Sequence, residues 1–188
     1  MALEPGTGGV PVLTTPRLVL RGHRASDLES SLSLWGDPAV VRLISGTPSS
    51  REDCWARLLR YAGLWPTLGF GYWLLEERDG GRFIGEAGFA DFKRSVEPDL
   101  GDALEAGWLV VPSEHGKGYA TEAMQAALAW AETTLAPRRS VCMVAPENAA
   151  SLRVAAKCGY RSYAATTYKE APTLLLERTI AARPGDGR

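Results

Sequence analysis

The sequence predicts a single α+β domain of about seven strands and four helices. Its 188 residues are the length of one domain, and its 45% hydrophobic and 23% charged residues are an ordinary globular composition. Segments with strand periodicity and segments with helical periodicity follow one another in the order β-α-α-β-β-β-α-β-α-β-β. This order places strand–helix–strand crossovers in the middle of the chain and contains no internal repeat.

One strand and one capped helix are predicted at the start of the domain. Arg17 to Arg21 is short and apolar and is bounded by proline and glycine, which is typical of a strand. Ser26 followed by Glu29 has the spacing of a capping box and predicts a helix to about Trp35. The next segment, GDPAVVRLISGTP, has turn residues at both ends of one short apolar stretch.

A second helix and a strand hairpin come next. The helix is predicted from Ser50 to Trp65, where Pro66 is expected to end it. Its apolar positions are Trp55, Leu58, Leu59 and Ala62. Residues 69–77 and 82–92 are predicted strands, joined by the turn sequence Arg-Asp-Gly-Gly at 78–81.

Four strands and two helices are predicted in the second half. A strand at 103–111 contains Gly107, which indicates a bulge or a close approach of another group. A short buried strand is predicted at 140–144. Asn148 is expected to cap the helix that follows it, and Gly159 to end that helix. Two further strands are predicted at 160–168 and 173–180. The helix predicted at 118–134 has the clearest pattern in the sequence, with apolar residues at Ala120, Ala123, Met124, Ala127, Leu128 and Ala131.

Composition argues against several classes of function. Twenty-one Lys and Arg against 22 Asp and Glu give a net charge of -1, which does not support a nucleic-acid or anionic-membrane footprint over the whole protein. No apolar run has the length of a membrane span, and the N-terminus lacks signal-peptide features. Cys54, Cys142 and Cys158 have no metal or redox spacing, so we expect reduced thiols, no metal and a cytoplasmic protein. The expected boundaries are a loose arm at 1–12, the domain at 13–181 and a tail at 182–188.

The segment most informative about chemistry is WLVVPSEHGKGYATEA, residues 108–123. A strand enters a loop with Gly116 and Gly118, and the loop opens directly into a helix. Free backbone N–H groups at a helix N-terminus, beside glycines, can bind an anion, although a plain glycine turn is the alternative. A Walker A loop needs Gly in place of Val111 and Ser or Thr in place of Gly118, and a dinucleotide fingerprint needs Gly or Ala in place of Thr121. Neither motif fits.

The loop does fit the pattern Arg/Gln-x-x-Gly-x-Gly/Ala, with His115 in the first place, then Gly118 and Ala120. This resembles the acetyl-CoA loop of the Gcn5-related N-acetyltransferase (GNAT) superfamily. The segments EAGWLV, HGKGYATEA and PENAASLRVAAKCGYR resemble its RimJ/RimL-like branch, which acetylates ribosomal-protein N-termini, as do TTPRLVLRGHRASDLES and DPAVVRLISG. The likeness covers about residues 13–180. It implies a single GNAT-like domain with a mixed, mostly antiparallel sheet that is splayed in the middle.

The resemblance implies an acetyl-CoA-dependent N-acetyltransferase that moves acetyl to a primary amine by direct attack on the thioester. The loop amides would bind the coenzyme pyrophosphate, the pantetheine arm would pair beside the strand before the loop, and an N–H near Leu109 would polarise the thioester carbonyl. The residues expected to bind the coenzyme are Leu109, Val110, Val111, His115, Gly116, Lys117, Gly118, Tyr119, Ala120, Asn148 and Ser151.

Some positions depart from the family or have a second explanation. His115 stands where Arg, Gln or an aromatic is usual. Ala155 stands where many members carry a tyrosine that protonates the departing thiolate, and Tyr160 is expected to be a core aromatic. In the resembling branch Asn148 and Ser151 contact the coenzyme arm, and the serine is a candidate acid. Both residues also have a purely structural explanation, because Asn is a good helix N-cap and Ser is common at the third position of a helix.

A general base is needed because an alkyl ammonium cannot attack a thioester until it loses a proton. Glu105 is the first candidate, and Glu86, Asp91 and Glu170 are weaker ones. Glu170 precedes the last strand, where RimL-like relatives can carry a catalytic glutamate. A set of aromatic residues either walls an acceptor pocket or belongs to the core: Trp35, Trp65, Phe70, Trp73 and Phe89.

Two rival functions are weighed. A covalent thiol mechanism through Cys142 or Cys158 lacks a His or Asp partner close in sequence. The absent tyrosine acid leaves open a module that senses acyl-CoA without turnover. The expected partners are coenzyme A and an amine acceptor, which is a protein N-terminus or a small amine such as an amino sugar, polyamine or amino acid. No membrane or direct nucleic-acid partner is expected, and a homodimer is left open.

Overall fold

The computed structural model describes residues 9–44, 46–135 and 139–179. The tail predicted at 182–188 and most of the arm predicted at 1–12 lie outside these residues. The strands are β1 (Leu13–Thr14), β2 (Leu18–Arg21), β3 (Tyr72–Glu77), β4 (Phe83–Ala90), β5 (Leu104–Val110), β6 (Arg139–Val144), β7 (Arg161–Tyr168) and β8 (Ala171–Thr179). The α-helices are α1 (Leu28–Trp35), α2 (Pro38–Val41), α3 (Arg51–Leu68), α4 (Tyr119–Thr134) and α5 (Ala149–Lys157).

The eight strands form one sheet in the order β1-β2-β3-β4-β5-β6-β8-β7. Every neighbouring pair is antiparallel except β5 and β6, which are parallel and are joined through α4. The predicted α+β class with a mixed, mostly antiparallel sheet is therefore confirmed. Among the described residues, no helix combines the length and hydrophobicity that crossing a membrane requires.

The sheet opens in its middle, between β5 and β6. These strands pair with each other only at Leu104 with Ser140 and at Glu105 with Val141. Beyond these residues β5 continues to Val110 and β6 to Val144, each paired only with its outer neighbour. The splayed sheet expected from the family resemblance is thus present. We call the gap beyond Glu105 and Val141 the opening.

The two faces of the sheet pack against different helices because successive strand side chains point to opposite faces. Ala106 lies in the main core with Met124 of α4. Leu109 packs instead with Leu34 of α1 and Cys54 of α3. Glu105, Gly107 and Leu109 alternate on the α1–α3 side, so any group that reaches Glu105 lies on that side.

The start of α1 differs from the prediction. A 3-10 turn covers residues 25–27 and the α-helix begins only at residue 28, so Ser26 is not its cap. Asp27 occupies the N-cap position instead, and its buried side chain accepts two charge-assisted hydrogen bonds from Arg21, each 2.8 Å long. These bonds hold Asp27, rather than the exposed Ser26, at the start of the helix. Glu29 pairs with Arg51 on α3 at 2.5 Å and takes no part in a cap.

The predicted end and face of α3 are also wrong. Pro66 lies inside the helix, which continues to Gly69 in the left-handed conformation at φ 76°. The indole of Trp65 donates a hydrogen bond to the Tyr72 carbonyl at 3.1 Å and so fixes the last turn of α3 to the start of β3. This contact offsets the one helical backbone hydrogen bond that Pro66 removes. Trp55 and Leu59 are exposed, at 39% and 51%. The buried face instead carries Cys54, Leu58, Tyr61, Leu64 and Trp65.

Three smaller differences concern short or irregular features. The sequence did not predict β1, which directly follows the supposed arm, nor α2, whose cap Asp37 accepts from the Ala39 N–H at 2.8 Å. The β4–β5 register runs without a shift through Gly88 and Gly107, so the bulge is absent. The alternative explanation for Gly107 holds, because a Cβ there would collide with the Tyr72 hydroxyl.

Candidate active site

The carboxyl ends of β5 and β6 border the opening. Parallel strands end at the same edge of a sheet, so the loop after β5 and the loop after β6 both lie there. The first loop leads into the N-terminus of α4 and the second into the N-terminus of α5. Two helix N-termini therefore converge on the open end of the gap.

The N-terminus of α4 has unused hydrogen-bond donors. Gly118 at its N-cap has φ 86° and provides no side-chain cap, and Gly116 has φ 77°. Within the described residues, the backbone N–H groups of 116–121 donate no hydrogen bond to a protein atom. By contrast, Ser50 caps α3 and Asn148 caps α5. Free amides beside two left-handed glycines form a cradle suited to an anion such as a pyrophosphate.

Arg17 lies against this loop and was missed by sequence reasoning. Its guanidinium donates to the Lys117 carbonyl at 2.9 Å and to Glu122 at 2.7 Å, and it stacks 4.4 Å above the Tyr119 ring. Its Nη2 would lie 3.5 Å from a Cβ at Gly118. In the sequence Arg17 is only the first residue of a predicted strand, 100 positions before Lys117 of the loop.

Two other cations near the loop are already paired. Buried Glu114 accepts from Arg82 at 2.6 Å and from Lys117 at 3.0 Å. These bonds, with Arg82 the larger cause, hold the pKa of the Glu114 carboxyl below its usual range. His115 donates from Nε2 to the Val110 carbonyl at 2.8 Å, since a carbonyl oxygen only accepts. The imidazole thus ties the loop back to β5.

The edge of β5 presents alternate backbone groups to the opening. Val111 donates its N–H to the Ile84 carbonyl of β4 at 2.9 Å. Because backbone groups alternate in direction along a strand, the N–H of Leu109 also points at β4, where its partner is Glu86. The N–H groups of Trp108 and Val110 face the opening. The backbone N–H expected near Leu109 to polarise the thioester carbonyl therefore corresponds to the N–H of Trp108 or Val110.

Asn148 and Ser151 lie together at the start of α5. The Asn148 side chain accepts from the Ser151 N–H at 3.0 Å, which confirms the predicted cap. Both residues are half-buried, and the Ser151 hydroxyl makes no hydrogen bond to another described residue. Ala155 is fully buried, and the buried Tyr160 hydroxyl lies 2.7 Å from Ser140, so Tyr160 is the core residue that was expected.

Glu105 is held by a guanidinium at the closed end of the opening. Both of its carboxylate oxygens accept from Arg94 Nε at 2.7 Å, and the residue is buried. Arg94 also donates to the Tyr168 hydroxyl at 3.0 Å. Glu105 and Arg94 line a pocket of about 260 Å³, which we call the Glu105 pocket. The pocket is also lined by Ala90, Asp91, Phe92, Lys93, Asp99, Leu100, Gly101 and Ala103.

The other candidate bases have different surroundings. Glu86 is 1% exposed and accepts from the Trp35 indole at 2.8 Å, with His23 Nε2 at 3.3 Å. Asp91 lines the Glu105 pocket and pairs with Lys93. Glu170 is exposed at the β7–β8 turn. Of the four carboxylates, Glu105 and Asp91 therefore share the pocket, and Glu86 and Glu170 do not line it.

Most of the aromatic residues proposed for an acceptor pocket belong to the core. Trp65, Trp73 and Phe89 are buried in the main cluster, and Phe70 packs against it. The rings of Trp65 and Trp73 meet edge-on at 4.6 Å. Trp35 is different, because its indole nitrogen binds Glu86 on the face that carries Leu109.

The thiols of Cys54, Cys142 and Cys158 are free and buried. Over the described ranges, no group of three or more His, Cys, Asp and Glu side chains is placed to hold a metal ion.

Comparison with known proteins identifies the family and the fold. The family model described as an acetyltransferase (GNAT) domain matches residues 17–161, which contain the opening, the loop and α4. This chain belongs to the GNAT acetyltransferase family. It is thus an acetyltransferase, and acetyl-CoA is the acetyl donor that GNAT enzymes use. The superfamily expected from the loop is confirmed.

Individual GNAT relatives align over most of the chain. A GNAT-family acetyltransferase structure from Bordetella pertussis is 32% identical, with a TM-score of 0.78, and the alignment covers 90% of this chain and 99% of that one. The uncharacterised N-acetyltransferase YoaA of Bacillus subtilis is 25% identical over 152 residues, 80% of this chain and 83% of YoaA. The ribosomal L7/L12 acetyltransferase RimL, solved with coenzyme A, shares the fold at 18% identity, a TM-score of 0.72 and coverage of 90% and 98%.

Proposed function

We propose that this GNAT protein transfers the acetyl group of acetyl-CoA to a primary amine, by direct attack of the amine on the thioester. The observation that carries the proposal is the opening between β5 and β6. On one side of it lie the free amides of the 116–121 loop, and on the other lies the buried carboxylate of Glu105. An anion site and a carboxylate at opposite ends of one gap suit a phosphate-bearing thioester and an ammonium.

The loop and the edge of β5 fit acetyl-CoA. The amides of 116–121 would hold the pyrophosphate, with Arg17 and Lys117 beside it. The edge of β5 at Trp108 and Val110 would pair with the amide-rich pantetheine arm, and their N–H groups would polarise the thioester carbonyl. Asn148 and Ser151 lie at the same edge of the sheet and would contact the arm.

The chemistry requires one proton acceptor and a route for the thiolate to leave. Glu105 would take a proton from the ammonium, after which the nitrogen lone pair attacks the acetyl carbon. The new C–N bond forms, the C–S bond breaks, and the electron pair leaves on sulfur. The nitrogen loses its second proton as the amide forms, and the sulfur takes up one proton; the Ser151 hydroxyl is the candidate that would relay this proton from nitrogen to sulfur. Arg94 holds both oxygens of Glu105 and so fixes the direction of the carboxylate.

The acceptor is a protein N-terminus or a small amine. RimL, whose fold this chain shares, is an α-N-protein acetyltransferase, and peptides belong in a test for that reason. The acidic Asp91 and Asp99 of the Glu105 pocket suit a small cationic amine. Nothing in the described structure favours the acyl-CoA sensor over an enzyme.

The decisive experiment measures free thiol released from acetyl-CoA by the purified protein. The acceptors are peptides beginning with alanine or serine, a polyamine, an amino sugar and single amino acids, and product mass verifies the added acetyl group. We expect release well above the rate without an acceptor for one of these classes. Binding of coenzyme A by calorimetry with no release for any acceptor would contradict the enzyme and favour the sensor.

A further inference from the structure

Tyr72 occupies an unusual place across the sheet. Its Cα partner on β4 is Gly88, and the Cα partner of Gly88 on β5 is Gly107. A Cβ at Gly107 would collide with the Tyr72 hydroxyl. The Tyr72 ring therefore crosses a path of two glycines and ends with its oxygen above Gly107.

The hydroxyl of Tyr72 makes no hydrogen bond to another described residue. Its oxygen keeps some accessible surface, although the residue as a whole is buried, at 5% exposed. The ring stacks on Tyr61 of α3 with centroids 4.4 Å apart and planes 4° apart. Most polar groups in a protein interior find a hydrogen-bond partner within the protein or in water. An unpaired hydroxyl that is still accessible, in an otherwise buried residue, is free to donate to a ligand that enters beside it.

The oxygen lies where the reacting group is expected. Pairing between β5 and β6 ends at Glu105, so Gly107 is at the start of the opening. The N–H groups of Trp108 and Val110 follow directly, and Glu105 is two residues before, on the same face as the Tyr72 ring. The Tyr72 hydroxyl thus lies between the carboxylate and the backbone donors.

We propose that Tyr72 is a catalytic residue whose hydroxyl donates a hydrogen bond to the thioester carbonyl oxygen of bound acetyl-CoA. The assignment rests on the proposed function, since it needs the acetyl group beside β5. A second donor at this oxygen stabilises the negative charge that develops as the amine attacks. No proton is transferred in this role.

The surroundings of Tyr72 decide between a hydrogen-bond donor and a proton-transferring acid. Burial, followed by the nearby Tyr61 and Glu105, raises the pKa of Tyr72 well above its ordinary value. A phenol that holds its proton this firmly is a poor acid toward a thiolate, yet it remains a good donor. Tyr72 therefore does not take over the role of the acidic tyrosine that many family members carry at the position of Ala155.

The test is Tyr72→Phe, which keeps the ring and its stack and removes only an unpaired oxygen. We expect the variant to melt at or above the temperature of the parent and to bind coenzyme A equally well. With bound acetyl-CoA carrying ¹³C at the carbonyl, the infrared carbonyl band should move to higher frequency, toward that of free acetyl-CoA. With a working amine, kcat should fall by about 10²–10³-fold.

The matched control is Tyr61→Phe, which removes the other hydroxyl of the same stack. Tyr61 lies on α3, and it is the Tyr72 hydroxyl that lies over Gly107, so the carbonyl band and kcat should stay at parental values. An unchanged band in Tyr72→Phe overturns the proposal, as does an unchanged kcat. The infrared measurement needs no acceptor, so it tests Tyr72 separately from thiol release by the parent, which tests the proposed function.

Discussion

Ser140 donates its hydroxyl proton to the Leu104 carbonyl at 2.9 Å, across the two residue pairs where β5 and β6 still meet. The same hydroxyl lies 2.7 Å from that of Tyr160, so β5, β6 and the residue just before β7 are joined at one point. This point is the closed end of the opening. In the proposed complex, its position would determine how far the coenzyme arm enters between the strands.

Replacement of Ser140 by alanine should destabilise the fold. The change leaves the buried Tyr160 hydroxyl without its partner, which costs about 1–3 kcal/mol of unfolding free energy. Denaturant unfolding measures the loss. Ser162→Ala, at an exposed position on β7, should stay within about 0.5 kcal/mol of the parent. Equal stability of the Ser140 and Ser162 variants would contradict the structural role of this contact.

Local patterns predicted most elements of the fold, because they carry their own signals. The spacing of Ala123, Met124 and Ala127 marked α4, and Asn148 with Gly159 marked both ends of α5. The errors arose where a distant partner decided the outcome. The apolar Trp55 is exposed because α3 packs through a different face, which no periodicity within the helix reveals.

The candidate site could be predicted only in part for the same reason. The 115–120 loop is contiguous, so its glycines and helix start were visible as a motif. Arg17 and Tyr72 reach the site from β2 and β3 through strand pairing, and a single sequence does not state that pairing. The bond from Arg94 to Glu105 bridges a loop and a strand, and no spacing rule foresees it.

Gly118→Asp should weaken binding of coenzyme A. The added carboxylate would stand among the free amides, where a Cβ meets only Arg17 at 3.5 Å, although the left-handed φ of 86° strains any side chain placed there. Repulsion between like charges near 4 Å is worth about 1–4 kcal/mol between water and a protein surface, or roughly a fivefold or greater loss of affinity. Calorimetry measures it. Gly69→Asp carries the same charge at a similar φ of 76°, and its affinity should equal that of the parent. Equal affinities of the two variants would exclude the loop as the anion site.

Asn148→Ala should lower stability and impair use of acetyl-CoA together. Loss of the bond to the Ser151 N–H costs about 0.5–2 kcal/mol. The lost side chain should also raise the apparent KM for acetyl-CoA, because Asn148 stands at the mouth of the opening. Ser50→Ala removes an equivalent cap from α3 and should lower stability without changing KM. If Asn148→Ala behaves in the same way as Ser50→Ala, Asn148 is a cap alone.

The three cysteines should be inert in the folded protein. Burial raises the pKa of Cys158 to about 11 and raises the pKa values of Cys54 and Cys142 as well. Since the thiolate is the reactive form, alkylation by iodoacetamide at pH 8 should be more than about 10²-fold slower than in the urea-unfolded chain. Mass spectrometry counts the labelled sites. Rapid labelling of Cys142 in the native state, or an acetyl group trapped on it, would reopen a covalent mechanism.

Glu105→Gln should lower kcat by about 10²–10⁴-fold, the usual contribution of a positioned base. The amide keeps the size of the side chain and one acceptor oxygen for Arg94, so affinity for coenzyme A should hold. Higher pH should restore part of the rate, because more of the amine is then neutral before it binds. Glu170→Gln is the matched control at the exposed β7–β8 turn and should keep full kcat. The reverse result would transfer the role of base to Glu170. Full activity of both variants would mean that the amine arrives neutral or loses its proton to water.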